Sequence, residues 1–529
     1  MFVKELAWTV IAGALVGWSL LPSAISSAQG LTEKDLPDVL TLERALSIAY
    51  TNQPSLRVAA SNVAINDARV GEARSAYFPQ VTGSLSYLRS TANPAFSFFG
   101  TPVPRSVTGD MFGRYLNNVN VNQVFFDFGN ILSQVRTAQY NARAARSDTE
   151  TALQTTVFNV QQSYYGLQQA QRLLTVSEEA LVQFQKHLDL AKGRYKVGVA
   201  PKIDVTTAEV DLSNARLNHI TAKNNLSQSR VTLNNAMGVT TTRQYRVEEP
   251  LVFEDYSISV EDALERAFRA RPELISQRAL EQAAESAIKT ATTSYFPNVT
   301  GSAGYSYNGS EFPLVPNWSF QGTVNIPIFS GFLSVQQVAE ARATLLKTKA
   351  SGDVLKQTVV SDVTQAYLNL EALKERLQFT AITVTQAKER MQQVEGRYRA
   401  GLATAVEVTD GEVALFNAQV NDVVAMSNYQ AAKAQLERAM GTTVMPSFVP
   451  SFPGSGEPGS GGGPSVGAGR AVSSPGSDIA PTLPKPAETG FPSRRTDPFS
   501  MSPAHPGSAR TDPFSPGLAE TRPRLNGGS

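Results

Sequence analysis

Residues 77–84 read YFPQVTGS, and residues 295–302 read YFPNVTGS. The segments before and after these two stretches also repeat in the same order. Self-similarity in a fixed order indicates a duplicated chain. We therefore divide the chain into two homologous halves, at residues 42–250 and 251–441. The repeated landmarks are Glu43, Ala45, Leu46, Pro54, Leu56, Gly193, Arg194, Tyr195 and Ala236-Met237-Gly238, which return as Glu261, Ala263, Leu264, Pro272, Leu274, Gly396, Arg397, Tyr398 and Ala439-Met440-Gly441.

Each half contains a long stretch that favours helix. No proline occurs between Pro104 and Pro201 or between Pro327 and Pro446, and an uninterrupted helix requires this. A helix of this length would measure on the order of 100 Å. Apolar residues recur there at alternating spacings of four and three, which is typical of a coiled coil. They are Val359, Val363, Ala366, Leu370, Leu373 and Leu377. We predict long helices at about 129–195, 203–237, 332–398 and 406–440.

Between the shorter and longer helices, residues alternate with a period of two, which predicts strands. We place these strands at about 80–89, 116–125, 298–308 and 317–327. Alternation of this kind also occurs in soluble sheets. Here the polar faces are small and uncharged, Tyr and Trp are frequent, and each strand approaches the roughly 9 to 11 residues that cross a bilayer. The apolar sets in the second half are Val299, Gly301, Ala303, Tyr305 and Tyr307, then Trp318, Phe320, Gly322, Val324 and Ile326.

Four strands are too few to form a closed barrel, since about eight is the smallest number that closes. An open edge in lipid would leave backbone groups without hydrogen bonds. The chain is therefore expected to associate with copies of itself. Three copies would supply twelve strands, and the same symmetry would gather the helices into a tube. The residues favour closure but do not fix the number three.

The two ends of the chain differ in composition from the halves. Lys4 precedes an apolar run from Leu6 to Leu21, and Ser26-Ser27-Ala28 follows, so residues 1–28 are expected to be a secretory signal peptide. A membrane anchor is the alternative, although the run is shorter than the roughly 20 residues of a spanning helix. Residues 446–529 hold 16 of the 30 prolines and are expected to be disordered. Their repeated RTDPFS is either a docking motif or a local duplication.

Composition excludes several classes of site. The chain has no cysteine, so disulfides, thiol catalysis and a lipid anchor on cysteine are excluded. Its net charge is +1, and nothing indicates nucleic acid. The histidines at 187, 219 and 505 are too far apart to suggest a metal site and are expected on the surface. No phosphate-binding loop or nucleophile elbow is present. We predict no enzyme activity, cofactor or metal, so any energy must come from another protein.

The repeated motifs resemble the TolC family of outer membrane efflux proteins, from Leu42 to Gly441. The resemblance lies in three features that each occur twice and in order. The first is the YFP before a strand, and the second is the start of each long helix, FFD at 125–127 and IFSG at 328–331. The third is the turn that ends each long helix, RYKVGVA at 194–200 and RYRAGLA at 397–403.

The resemblance implies a mostly α-helical chain with a transmembrane β-barrel. In this family, a trimeric twelve-stranded barrel in the cell outer membrane continues into a periplasmic α-helical barrel. The implied function is passive conduction in a tripartite efflux or type I secretion system. The implied partners are two further copies, outer membrane lipid, a periplasmic adaptor (membrane fusion) protein, and a proton-driven or ATP-driven inner-membrane transporter.

The resemblance also implies two sets of site residues at the periplasmic tip. The adaptor contacts would be Val197, Gly198 and Val199, with Ala400, Gly401 and Leu402 in the second half. In each half, the turn departs at one position from the Val-Gly-Leu that is usual in the family. The pore gate would comprise Tyr398, Glu407, Asp410 and Asp204, with Ala403 at the place of the arginine that bonds the tyrosine elsewhere. The alternative for the two glycines is that they only permit a tight turn. The alternative for the acids is that they are solvated side chains at a helix N-terminus, where a negative charge is favourable.

Two rival functions remain open from the sequence. One is a periplasmic coiled-coil scaffold without a pore, and the other is an exported enzyme. Within the channel interpretation, efflux of drugs, metals or siderophores competes with export of protein.

Overall fold

The computed structural model describes residues 37–90, 112–241, 243–248 and 253–443. The expected signal peptide at 1–28 and the expected disordered tail at 446–529 lie outside these residues. The first half contains, in chain order, β1 (Val39–Leu40), α1 (Leu42–Asn52), α2 (Pro54–Ser75), β2 (Gln80–Ser90), β3 (Phe112–Phe126), α3 (Asn130–Lys196), α4 (Lys202–Met237) and β4 (Arg246–Val247). The second half contains α5 (Val260–Ala270), α6 (Pro272–Thr293), β5 (Asn298–Gly309), β6 (Val315–Asn325), α7 (Leu333–Arg399) and α8 (Ala405–Ala439).

The long helices α3 and α7 each begin after a left-handed residue. Gly129 precedes α3 at φ 85°, and Phe332 precedes α7 at φ 66°. The Asp127 carboxylate accepts hydrogen bonds from the backbone N–H groups of Gly129 and Ile131, at 3.0 and 2.6 Å. These bonds satisfy donors that a helix start leaves free. Asp127 and Gly129 therefore stabilise the sharp change from strand β3 to helix α3.

Helix α3 is central in the packing of the helices. It contacts α2, α4, α6 and α8, whereas α7 contacts α6 and α8. The coiled-coil pattern predicted on α7 is confirmed, because five of its six residues are buried and the sixth, Leu373, packs against them. Their partners include Ala425, Tyr429 and Leu436 of α8.

Four of the described strands form an antiparallel sheet in the order β2-β3-β5-β6, and β1 pairs with β4 in a separate two-stranded parallel sheet. The two hairpins have equivalent registers, since Gln80 pairs with Asn122 and their repeat counterparts Asn298 and Asn325 also pair. A bulge interrupts the β3–β5 ladder between Val124 and Phe126. In the sheet as described, β2 and β6 are the edge strands.

Two strands, β3 and β6, have bounds that differ by more than one residue from the sequence prediction. Strand β3 begins at Phe112 rather than at about 116, because its first residues pair with Tyr87 to Ser90 of β2. Strand β6 runs from Val315 to Asn325, so Ile326 lies outside it. The long helices begin and end within one residue of the expected positions.

Among the described residues, no helix is both long enough and apolar enough to cross a membrane.

Candidate functional site at the helical tip

The two turns that end the long helices have the same backbone geometry. Gly198 has φ +75° and Gly401 has φ +76°. In each turn the glycine N–H donates to the carbonyl three residues back, at 3.0 Å. The next residue, Val199 or Leu402, donates five residues back, at 3.0 or 2.8 Å. This bonding closes a helix C-terminus around a left-handed residue, where glycine is favoured. The predicted need for glycine in a tight turn is confirmed.

The side chains beside the two glycines face solvent in the single chain. Val197 and Leu402 are each 71% exposed, and Val199 and Ala400 are also exposed. Exposed apolar side chains on a tight turn bury little surface within their own chain. Both turns therefore offer apolar contact area to another molecule.

Tyr398 lies at the end of α7, and its side chain is buried among residues of α7 and α8, which form a helical hairpin. Its relative exposure is 2%, and its neighbours include Met391 and Val408. Burial raises the pKa of the Tyr398 hydroxyl, the nearby Asp204 carboxylate raises it further, and Arg194 opposes them. The Asp204 carboxylate thus acts electrostatically on the Tyr398 hydroxyl, and the assignment of these residues to a pore gate stays a prediction.

Arg194 is a contact of Tyr398 that the sequence did not indicate. Its guanidinium carbon lies 4.7 Å from the centre of the Tyr398 ring, a cation–π distance. An Arg194 guanidinium N–H also donates to the Tyr398 backbone carbonyl. This arginine comes from the first half, whereas the resemblance placed the tyrosine's partner at the position of Ala403. Its repeat counterpart Arg397 instead donates to the Leu402 carbonyl, at 3.2 Å.

Glu407 caps the start of α8. Its carboxylate accepts hydrogen bonds from the Thr404 backbone N–H and hydroxyl, both at 3.1 Å, while the Glu407 N–H donates to the Thr404 hydroxyl. These bonds lower the pKa of Glu407, and Arg397, 3.8 Å away, lowers it further. The structure places Glu407 against Thr404 and Arg397, and it leaves Asp410 exposed.

His187 is not a surface residue, so that prediction was wrong. Its Nδ1 lies 3.0 Å from a carboxylate oxygen of Glu412, and both side chains are almost fully buried. The pair connects α3 to α8 across 225 positions of sequence. No local pattern in the sequence could have indicated a contact between such distant residues.

The described residues contain no group of three or more His, Asp or Glu side chains that could hold a metal ion.

The comparisons with known proteins agree on one family. The sequence profile described as "Outer membrane efflux protein" matches residues 45–239 and 263–442. The chain is 24% identical over 439 residues to the outer membrane protein TolC of Vibrio cholerae, covering 80% of this chain and 95% of that protein. It is also 24% identical over 428 residues to the probable efflux pump outer membrane protein TtgC of Pseudomonas putida, covering 76% and 82%.

A solved structure shares the fold. The CmeC outer membrane channel of Campylobacter jejuni matches with a TM-score of 0.68 at 16% identity, covering 77% of this chain and 87% of that one. The fold is therefore a mostly helical channel fold with an attached sheet.

Proposed function

The chain belongs to the outer membrane efflux protein family, and from that premise we propose that it is the outer membrane channel of a tripartite efflux or type I secretion system. In this role it conducts substrates passively to the outside. An inner-membrane pump supplies the energy, and a periplasmic adaptor joins pump to channel.

One observation carries the proposal: the sheet has an apolar face that no part of the described chain covers. Pairing across β5 and β6 sets Val299 opposite Val324 and Tyr305 opposite Trp318. Trp318 is 76% exposed, and Phe320 and Val324 are exposed too. The opposite face carries Asn, Ser, Thr and Gln. An apolar outer face and a polar inner face are what a pore wall in lipid requires.

The edges of the sheet support assembly from several copies. Strands β2 and β6 lie at the two edges, and lipid offers no hydrogen bonds to such edges. Pairing of β6 with β2 of the next copy satisfies both. Three copies then give twelve strands, which agrees with the trimer implied by the family.

The helices support the same assembly. Helix α7 does not pack extensively on α2 of its own chain, although its counterpart α3 packs on both α2 and α6. Apolar side chains are exposed along α7 and also on α2 and α4. A neighbouring copy would cover these side chains, because its α2 would pack on α7 in the way that α6 packs on α3 within one chain. The exposed α7 side chains include Leu346, Val354, Leu368 and Phe379.

The tip is the proposed contact for the adaptor. The apolar side chains around Gly198 and Gly401 offer two similar surfaces per copy, hence six per trimer. Tyr398, Asp204, Glu407 and Asp410 form the proposed gate. Carboxylates repeated around a narrow axis would favour cations over anions.

A conductance measurement tests the proposal. Purified full-length protein is reconstituted into liposomes or a planar bilayer, and its mass in detergent is measured in parallel. We expect trimers that insert and conduct ions. A protein that stays monomeric in water and never associates with lipid would be a scaffold rather than a channel.

A further inference from the structure

The four-stranded sheet carries charge of one sign only. Asp, Glu and Lys are absent from β2, β3, β5 and β6, and the charged side chains there are Arg89 and Arg114. Helix α2 leads into β2 at Gln80, and β3 leads into α3 after Phe126. Both arginines therefore lie near the end of the sheet that is farthest from the helices. With two arginines in each copy, three copies would carry six arginines and no acid in this sheet.

The two arginines lie on opposite faces of the β2–β3 hairpin. Arg114 pairs across the hairpin with Leu88, the residue before Arg89. Because successive side chains of a strand point to opposite faces, Arg89 shares the apolar face with Tyr87. By the same rule, Arg114 shares the polar face with Asn118. In the proposed channel, Arg89 therefore meets lipid, and Arg114 extends into the lumen.

The surroundings of Arg114 favour a strong local field. On the four strands of the sheet, no carboxylate is present that could neutralise it. Leu88 on β2 and Leu116 on β3 lie beside it on the same face. Walls of low dielectric constant that carry one sign of charge focus the electric field in the space between them. The potential at this level of the lumen is therefore positive.

The size of the barrel allows this field to reach across it. Strand β3 continues for 12 residues from Arg114 to Phe126, or about 40 Å, so Arg114 lies near the outer end. Twelve strands about 4.8 Å apart and tilted by about 40° would enclose a barrel of roughly 12 Å radius. The Debye length at physiological salt is about 8 Å. Three arginines that extend inward from such a wall thus act on most of its cross-section.

We infer that three copies of Arg114 form a basic ring at the outer end of the channel. This ring, which we call the exit ring, attracts solutes with carboxylate or phosphate groups and disfavours cations, as rings of arginine or lysine do in anion pores. The inference rests on the proposed channel function and deepens it. It adds a second selecting element, opposite in charge to the acids at the tip and at the other end of the pore. Cations outside the cell would meet the exit ring before they could return.

The ion selectivity of full-length trimers in planar bilayers tests the inference. The reversal potential is measured across a KCl gradient with about 10 mM on the dilute side, where the Debye length is about 30 Å. Arg114→Gln removes the exit ring, and we expect the permeability ratio of K⁺ to Cl⁻ to rise at least about threefold. Arg114→Lys keeps the charge and should keep the wild-type ratio.

The matched control is Arg89→Gln. Arg89 lies at the same level of the β2–β3 hairpin but on the face toward lipid, so its removal should leave the permeability ratio unchanged. Salt gives a second control, because the Debye length falls to about 3 Å at 1 M. The difference between wild type and Arg114→Gln should therefore shrink in concentrated KCl.

The possible outcomes separate the exit ring from the channel function. Arg114→Gln trimers with the wild-type ratio at low salt overturn the inference, and so does an equal change in Arg89→Gln or a loss of selectivity in Arg114→Lys. If Arg114→Gln does not assemble, Asn118→Asp replaces it: an acid on the same face should also raise the ratio, and an unchanged ratio overturns the inference. A wild-type protein that does not conduct contradicts the channel function, and the inference with it.

Discussion

At the residue scale, one glycine after α4 lies against the break between α1 and α2, and one after α8 lies against the break between α5 and α6. Gly238 ends α4 at φ +69°, and Gly441 follows α8 at φ +70°. A Cβ on Gly238 would lie 2.7 Å from the Gln53 Cα, and one on Gly441 would lie 2.9 Å from the Arg271 backbone nitrogen. The glycine that ends each copy of Ala-Met-Gly is thus explained by its positive φ and by the close approach of another backbone segment.

Replacing Gly441 tests this explanation. Gly441→Ala adds a strained φ and an overlap with backbone, and we expect it to cost about 2 kcal/mol or more. The readout is the denaturation midpoint of the purified protein. The control Gly396→Ala lies within α7 in open space and should gain about 0.5–1 kcal/mol. Equal midpoints for Gly441→Ala and wild type would refute the close approach.

Gly401 belongs to a different class of glycine. It also has a positive φ, but a Cβ there would meet only the end of Arg194, at 3.9 Å. We therefore expect Gly401→Leu to leave trimers in the membrane and to abolish transport, because a bulky side chain would block the tip surface. Export assays with membrane trimer quantification check this. Normal export would remove this turn from the adaptor contact, and Gly71→Leu on α2, which is also open, serves as the control.

The acid Glu407 leads to a pH prediction. Its pKa is lowered from 4.5 by the bonds from Thr404, so its ionised form is favoured in the folded chain. Its stabilisation of α8 is present above the ordinary pKa and is lost as pH falls through the lowered one. We expect the stability difference between wild type and Glu407→Gln to persist at neutral pH and to vanish only below about 4.5. A difference that disappears well above that value would contradict the capping role.

At the element scale, patterns that repeat within one helix or strand were predictable from sequence. The coiled-coil residues of α7 and the alternating faces of β5 and β6 follow from helical and strand periods alone. The start of β3 was not predictable, because Gly113 and Arg114 interrupt the alternation and only pairing with β2 extends the strand. The His187–Glu412 pair was equally hidden, since it depends on how α3 packs on α8.

The two faces of β6 give the element-scale prediction. Phe320 pairs with Ala303 on the apolar face, and Gln321 pairs with Ser302 on the polar face. Phe320→Arg places a charge in lipid and should cost about 2–4 kcal/mol near the bilayer centre, so folded trimer in the outer membrane should fall sharply. Gln321→Arg, one residue away, should assemble normally. Heat-dependent gel mobility of membrane fractions measures both, and equal assembly of the two variants would refute the assignment of faces.

At the scale of the whole molecule, the duplication predicts how copies meet. Within the chain, β3 pairs with β5, and Val121 lies opposite Ala303. The repeat counterpart of Val121 is Val324 on β6, and that of Ala303 is Leu85 on β2. If the junction between copies repeats the junction between halves, Val324 of one copy lies opposite Leu85 of the next.

Formation of a disulfide at this junction tests the central claim that copies close the sheet. The chain has no cysteine, so Leu85→Cys with Val324→Cys introduces the only thiols. Residues opposite each other on antiparallel strands have Cβ atoms about 4.5–5.5 Å apart, near enough for a disulfide. The control joins Leu85→Cys with Phe320→Cys, four residues along β6 and about 13 Å away. We expect oxidised membranes of the first variant to contain three covalently linked chains, separable by reductant, and the control to yield single chains. Single chains from both variants in the presence of folded protein would contradict closure by neighbouring copies.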